Sequence, residues 1–469
     1  MPTISSLRQL ASAAVGVDAR AESLALWRLT WPILIGQLAT VGMSVAEVAM
    51  AGHASAQDLA SVSLGTSIWI MVIITLIGIT LAVNPVVSHH VGAKNFAAVP
   101  PVVRQALWKA LGVGLLAVVV ANLASLVFDH LSLEPQVRDL ARAFVRSSSL
   151  ALPAFALYRV LYGYSASLDQ TKPLMVTALL SLLLNVLVNW VLVFGKLGFA
   201  PMGGLGCAWA TVVCVWFNLV ALWWWMRRAP AYRATWPFDR FEAPNWPQIR
   251  SLLALGLPIG VTYFAEVSAF SLIALMVARF GSTEVAAHQI ALNFSSLVFM
   301  VPLSLGMALL TRVSQALGAG DPVAARFRAW VGVAISLAFA VVSAVGMAVF
   351  NYSIAAAYTR DVAVIALAAQ LLFVAAIFQL SDATQVAASS AIRGYKVTRA
   401  PMLIHLTAFW VVSLPLGFAL GIAPQGWPWV PNEPWGAKGF WVALVIGLTI
   451  AAAGLVLLLR QVARQRLPR

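Results

Sequence analysis

The chain has 469 residues, 61% hydrophobic and 10% charged, with a mean hydropathy of +0.89 and a formal net charge of +14. A soluble domain carries about 25% charged residues, which excludes a water-soluble enzyme or nucleic-acid-binding module as the bulk of the protein. The basic residues are spread over short connections rather than gathered on one face, so they read as a topology signal on a polytopic membrane protein and not as a nucleic-acid footprint.

In chain order, a polar stretch with Arg8, Asp18, Arg20 and Glu22 comes first. It lacks the short apolar region and small-residue cleavage site of a removable signal, so the first apolar span, beginning near Trp27, stays in place as the insertion signal. Apolar windows of about 20 residues, enough to cross a bilayer, then recur from Leu29 to Leu459, and they predict twelve transmembrane helices in an all-α fold. Of the 30 Lys and Arg residues, only Arg138, Arg142, Arg146, Lys196, Arg279, Arg360 and Lys438 fall on alternate connections. The rest, including Lys94, Arg104, Lys109, Arg159, the central arginines and Arg469, belong to the other set. The positive-inside rule then places both termini and the central loop in the cytoplasm. Cys207 and Cys214 lie seven residues apart in the sixth span, roughly 10.5 Å of helical rise, too far for a disulfide, and read as small apolar fillers.

The two halves of the chain are similar. "TWPILIGQ" and "GLPIGVTY" pair Pro32 with Pro258, while "VVSHHVGAKN" and "RVSQALGAGD" pair Ser88 with Ser314 and Gly92 with Gly318. Pro173 and Pro401 match at nearly the same offset, and "GGLGCAW" before span six parallels "GAKGFWV" before span twelve. Six spans per copy make these parallel repeats related by an axis along the membrane normal. The expected organisation is a six-helix lobe over 1–226, a cytoplasmic linker over 227–250 read as a solvated connector, and a second six-helix lobe over 251–469.

Of the 16 acidic residues, 13 fall in connections or at span ends, and Glu47, Glu266 and Asp382 fall inside spans one, seven and ten. With no Lys or Arg expected near the middle of a span, each of the three either binds an external cation or proton, or stays protonated as a link between helices. Asn185 and Asn189, four apart on one face of span five, could supply amide oxygens to such a site beside Glu47 or simply pack helices. Gln289 and Asn293 on span eight share that spacing and those two readings. The six histidines show no HExxH-like spacing, so no transition-metal site is expected, and no phosphate-binding glycine loop marks an ATP-driven pump. No catalytic constellation or cofactor is expected either.

The stretches "VAEVAMAGH", "VVSHHVGAKN", "TKPLMV", "LLLNVLVNW", "FAEVSAF", "AAHQIALNFSSLVFMVPLSLG", "SDATQVAASSAIRGYK" and "GAKGFW" resemble the NorM-type branch of the multidrug and toxic compound extrusion family, from about Leu26 to about Gly447. The resemblance implies two six-helix lobes around a central cleft and exchange of incoming Na+ or H+ for outgoing bulky, often cationic drugs and dyes. It places the family's coupling carboxylates on Glu47, Glu266 and Asp382, with Glu47 departing from the usual aspartate by one methylene. The expected setting is the lipid of a bacterial inner membrane, with no nucleic acid and no obligate protein partner. A lipid or oligosaccharide-lipid flippase on the same scaffold is the rival reading, and a membrane-embedded transferase a distant one.

The basic-residue asymmetry makes a direct prediction. Reporter fusions after Arg240 and at the carboxy terminus both report the cytoplasm, and a periplasmic signal from either overturns the span count.

Overall fold

The computed structural model describes residues 19–131, 133–422 and 433–467; Arg8, Asp18 and Arg469 lie outside them. Among the described residues there are helices and connections but no strand, as lipid requires of a chain that cannot close a barrel. Eleven helices are long and apolar enough to cross a bilayer. In chain order they are α1 (Ala19–Ala54), α2 (Ala56–Gly92), α3 (Phe96–His130), α5 (Lys172–Phe194), α6 (Gly204–Arg228), α7 (Trp246–Phe280), α8 (Ser282–Gly318), α9 (Pro322–Val349), α10 (Val362–Gly394), α11 (Arg399–Ile422) and α12 (Ala437–Gln465). The twelfth is α4, split into Pro135–Ser149 and Leu152–Ser167. Its first piece carries Arg138, Arg142 and Arg146 and its second begins at a Leu-Pro step, so neither half alone has the length of an apolar span.

The chain packs as two compact units, Trp31–Phe264 and Ala265 onward with the residues before Trp31. The stretch expected as a linker lies inside the first unit. Most of it is exposed, and it is also fastened: the Arg104 guanidinium donates to Asp239 and Glu242, both at 2.7 Å, and to the Pro237 carbonyl at 3.3 Å. Gln105 bonds Ala243 and Asn245, and Trp108 donates to the Glu242 carbonyl at 2.9 Å. Tyr232, inside this stretch, is buried against Ser165 at 2.6 Å, and burial pushes its phenol up to about 12, so it remains a neutral hydroxyl.

The counterpart in the other unit is Glu22. Expected on a polar lead-in, it is instead in the first turn of α1, 1% exposed, accepting from Arg312 Nε at 2.9 Å and Nη2 at 2.5 Å, with Arg328 Nε 3.3 Å away. In each unit arginine thus holds acidic side chains: Arg104 of α3 in the first, Arg312 of α8 and Arg328 of α9 in the second.

Inside the helices the structure corrects the expectation that no Lys or Arg lies near the middle of a span. Lys109, 2% exposed in α3, donates to the Ile79 carbonyl at 2.9 Å, where α2 breaks between Thr80 and Val83. A break frees carbonyls from their helical partners, and the ammonium group satisfies one. Arg159 lies in the second half of α4 with its guanidinium 4.5 Å above the Tyr162 ring.

The repeat also shows in a shared cap. Asp58, early in α2, accepts the Gly204 amide of α6 at 2.6 Å, and Glu284, early in α8, accepts the Ala437 amide of α12 at 2.9 Å. The residues just before, Gly203 and Gly436, both have φ +56, and an added Cβ would come within 2.5 Å of Asp58 Oδ1 or 2.9 Å of Glu284 Oε1. Only glycine fits both the left-handed backbone and the overlying carboxylate.

Removing one partner of a buried ion pair costs about 3–5 kcal/mol. Glu22→Gln therefore lowers the melting temperature of the detergent-purified protein clearly, whereas Asp139→Asn, which loses an exposed 3.1 Å pair with Arg138, changes stability by less than about 1 kcal/mol. Equal melting of the two variants contradicts this assignment.

Candidate functional site

In the unit Trp31–Phe264, α1, α5 and α6 bring Glu47, Asn185 and Thr211 together. Asn185 Nδ2 donates to Glu47 Oε1 at 2.9 Å, and Thr211 Oγ1 donates to the same oxygen at 2.8 Å. Asn189 stands one turn along α5 and donates to both the Asn185 carbonyl, at 2.9 Å, and Asn185 Oδ1, at 3.0 Å. Its own Oδ1 is buried without a partner among the described residues. The i, i+4 spacing that put the two asparagines on one face orders them into a relay ending on the carboxylate. Cys207 also points here, its thiol 3.8 Å from the Glu47 carbonyl, and Cys214 donates to the Ser181 carbonyl at 3.7 Å. Both cysteines are free and buried.

In the other unit, Asp382 sits in the middle of α10, 4% exposed, and accepts from Gln385 Nε2 at 3.1 Å. Glu266 of α7 lies close enough for its charge to act on Asp382, and the charge of Arg393, three turns along α10, acts on Glu266. Gln385 continues to α11: its Oε1 is 2.6 Å from His405 Nε2, while His405 Nδ1 faces the Pro401 carbonyl at 2.7 Å. The imidazole stacks on Phe409, with ring centroids 6.5 Å apart.

Gln289 and Asn293 are exposed on α8, and Asn293 Oδ1 accepts from Tyr358 at 3.0 Å rather than joining either carboxylate group. His288, beside Gln289, turns inward and accepts from Trp441 Nε1 at 3.1 Å. Sequence reading passed over Thr211, Gln385 and His405. A threonine inside an apolar helix usually bonds its own backbone, and Gln385 and His405 meet only because α10 and α11 pack together. The one signal available was Gln385 three residues after Asp382, on the same helical face.

The MatE family model matches residues 32–191 and again 258–419, two segments whose starts are 226 residues apart. "Multidrug resistance protein PmpM" of Pseudomonas aeruginosa is 44% identical over 451 residues, covering 96% of this chain and 94% of that protein. "Probable multidrug resistance protein NorM" of Chromobacterium violaceum is 41% identical over 455 residues, covering 96% and 97%. Among solved structures, the eukaryotic MATE transporter AtDTX14 superposes with a TM-score of 0.84 at 19% identity, covering 96% of this chain and 98% of that one. An outward-facing multidrug resistance MATE family transporter superposes with a TM-score of 0.84 at 17% identity, covering 95% and 96%.

The geometry around Glu47 predicts an energetic coupling. Thr211→Val keeps the volume but removes one donor to Oε1, lowering stability by about 1–2 kcal/mol, and most of that loss disappears when Glu47 is already leucine. An undiminished loss in the Glu47→Leu background means that Thr211 serves only the Cys207 carbonyl, 3.1 Å away on its own helix.

Proposed function

Because this chain belongs to the MatE family of multidrug efflux transporters, we propose that it is a cation-coupled antiporter that expels bulky, often cationic compounds by alternating access. The observation that carries this reading is Asp382, a carboxylate 4% exposed in the middle of an apolar helix, hydrogen-bonded to a neutral amide and within the field of a second carboxylate, Glu266. An ionisable group at that depth is costly unless its charge is used.

Two carboxylates within electrostatic reach compete for one positive charge. A cationic compound arriving from the cytoplasm favours the ionised pair, and an incoming cation neutralises the pair and releases the compound. That difference in affinity between two states is what exchange requires. We assign H+ to the pair Glu266 and Asp382, because Gln385 links Asp382 to a titratable imidazole, His405. The amino-terminal site is of another kind. Glu47 with the amide oxygens of Asn185 and Asn189 offers hard oxygen atoms suited to Na+ or H+, the unpartnered Asn189 Oδ1 among them.

The protein acts, in this reading, in the inner membrane of a bacterium with both termini in the cytoplasm, and the two six-helix repeats are its working halves. Small-molecule drugs and cationic dyes are its substrates. Gln289 and Asn293, exposed on α8, are open to contact a substrate.

Asp382→Asn and Glu266→Gln each abolish proton-driven export of a cationic dye from everted vesicles at normal protein level, and the double variant is no worse than either single one, since the residues act as a unit. Export by either single variant at the parent's rate and pH dependence sinks the proposal.

A further inference from the structure

The hydrogens around His405 do not balance for a neutral ring. Nδ1 faces the carbonyl of Pro401 at 2.7 Å, and Nε2 faces the carbonyl oxygen of the Gln385 side chain at 2.6 Å. Both partners are acceptors only. With this amide orientation each imidazole nitrogen must carry a hydrogen, so the ring is an imidazolium and the amide NH2 points at an ionised Asp382. The oxygen and nitrogen of an amide end exchange places by a half turn. After that turn the NH2 faces Nε2, which must then be a bare acceptor, and the carbonyl oxygen faces Asp382 Oδ1, which must then carry a proton. The two arrangements hold the same total number of protons. In one the proton is on His405; in the other it is on Asp382.

We infer that His405, Gln385 and Asp382 form a unit in which one proton is shared between the carboxylate and the imidazole, with the Gln385 amide as the element that makes the two sites exclusive. This deepens the exchange reading above and rests on it. When a cationic compound reaches the carboxylates, the Asp382 O–H bond breaks and the His405 Nε2–H bond forms. Gln385 turns over without a net gain or loss of hydrogen. The negative charge needed at Asp382 therefore appears while the proton is still held at His405 Nε2; that proton then leaves the unit as the compound is carried across, and an incoming proton re-forms the Asp382 O–H bond when the compound is released. Both protons present, or neither, leaves two donors or two acceptors facing each other across the amide, which is costly for buried groups.

The remaining charged surroundings oppose charge at both ends of the unit, Arg393 as a like charge to the imidazolium and Glu266 as a like charge to ionised Asp382, so the charged pair forms when a cationic compound arrives. On α10, besides Asp382, Arg393 acts on the imidazole. On α7, Glu266 acts on Asp382. On α12, packed against α11, the stretch from Trp441 to Leu459 has no titratable side chain, and Lys438, Arg460 and Arg464 lie towards its ends. Asp382 is the carboxylate linked to His405 by a side chain that can reverse its polarity. His405 is thus a positioning residue for the coupling proton and touches no substrate.

The test uses the full chain in proteoliposomes with 15N-labelled histidine and a cationic dye. In the parent at neutral pH, adding the dye moves both His405 nitrogens to the imidazolium shift, and a neutral dye of similar size does not. In His405→Gln and Gln385→Met, each at normal protein level, pH-gradient-driven export falls roughly 10²-fold, the low end for loss of a positioned proton carrier; in Gln385→Met the dye no longer changes the His405 shifts. If the parent exchanges dye for protons and Asp382→Asn does not, yet His405→Gln keeps the parent's rate and pH profile, the shared-proton unit is overturned while the exchange reading stands. Unchanged His405 shifts on dye binding to the active parent overturn it as well. A parent that exchanges no protons removes both.

Discussion

A chain in hydrocarbon has no water with which to solvate a charge, and the rest of this structure follows from how that constraint is met. Several deeply placed ionic or polar groups are answered from a different helix or from the connection lying over them. Lys109 meets the carbonyl exposed by the break in α2, Glu22 meets two arginines, and Glu47 meets an amide and a hydroxyl. Breaks and caps that look local are therefore tertiary features. The interruption of α2 is tenable because α3 carries a lysine at the matching height, and α6 and α12 start where they do because carboxylates on α2 and α8 receive their first amides.

The two repeats solve the same backbone problem alike and the same chemical problem differently. The caps of Asp58 and Glu284 correspond, down to the left-handed glycines beneath them. The carboxylate sites do not. Around Glu47 the neighbours are two asparagines and a threonine, groups that cannot titrate; around Asp382 they are a glutamine leading to a histidine, which can. An inert amide network fixes a charge in place, whereas a titratable one lets it move. The two repeats thus surround their buried carboxylates with unlike partners, and only the carboxy-terminal set includes an imidazole.

Much of this was legible from residues alone. Apolar windows and the repeat spacing point to twelve helices in two sixes, and acidic residues inside apolar runs stand out because nothing else there is charged. What was not legible has a common physical cause: it depends on packing between elements distant in sequence. Lys109 and Arg104 read as parts of a connection because no pattern in a single chain shows that a broken helix or an acidic loop will lie against them. Arg159 read the same way, since α4 is too polar in its first half to register as one span. Thr211 and His405 were invisible for the converse reason, as each is an ordinary residue in an apolar helix until its partner on the neighbouring helix is known. The stretch 227–250 is polar and largely exposed, and composition gave no sign that Arg104, Gln105 and Trp108 would hold its Asp239, Glu242, Ala243 and Asn245.

The pairing of Glu22 with Arg312 and Arg328 also sets an order of events during synthesis. The glutamate leaves the ribosome 290 residues ahead of the first arginine it will bind, so through most of translation the head of α1 carries a carboxylate with no settled place. Asp239 and Glu242, by contrast, find Arg104 already made. The amino-terminal half can close its loop as it emerges, but the first turns of the first helix wait for the eighth. The beginning of the chain is thus among the last parts to reach its native contacts, and a nascent chain halted before Arg312 holds an unfinished first helix, a state in which membrane quality control can distinguish it from the completed protein.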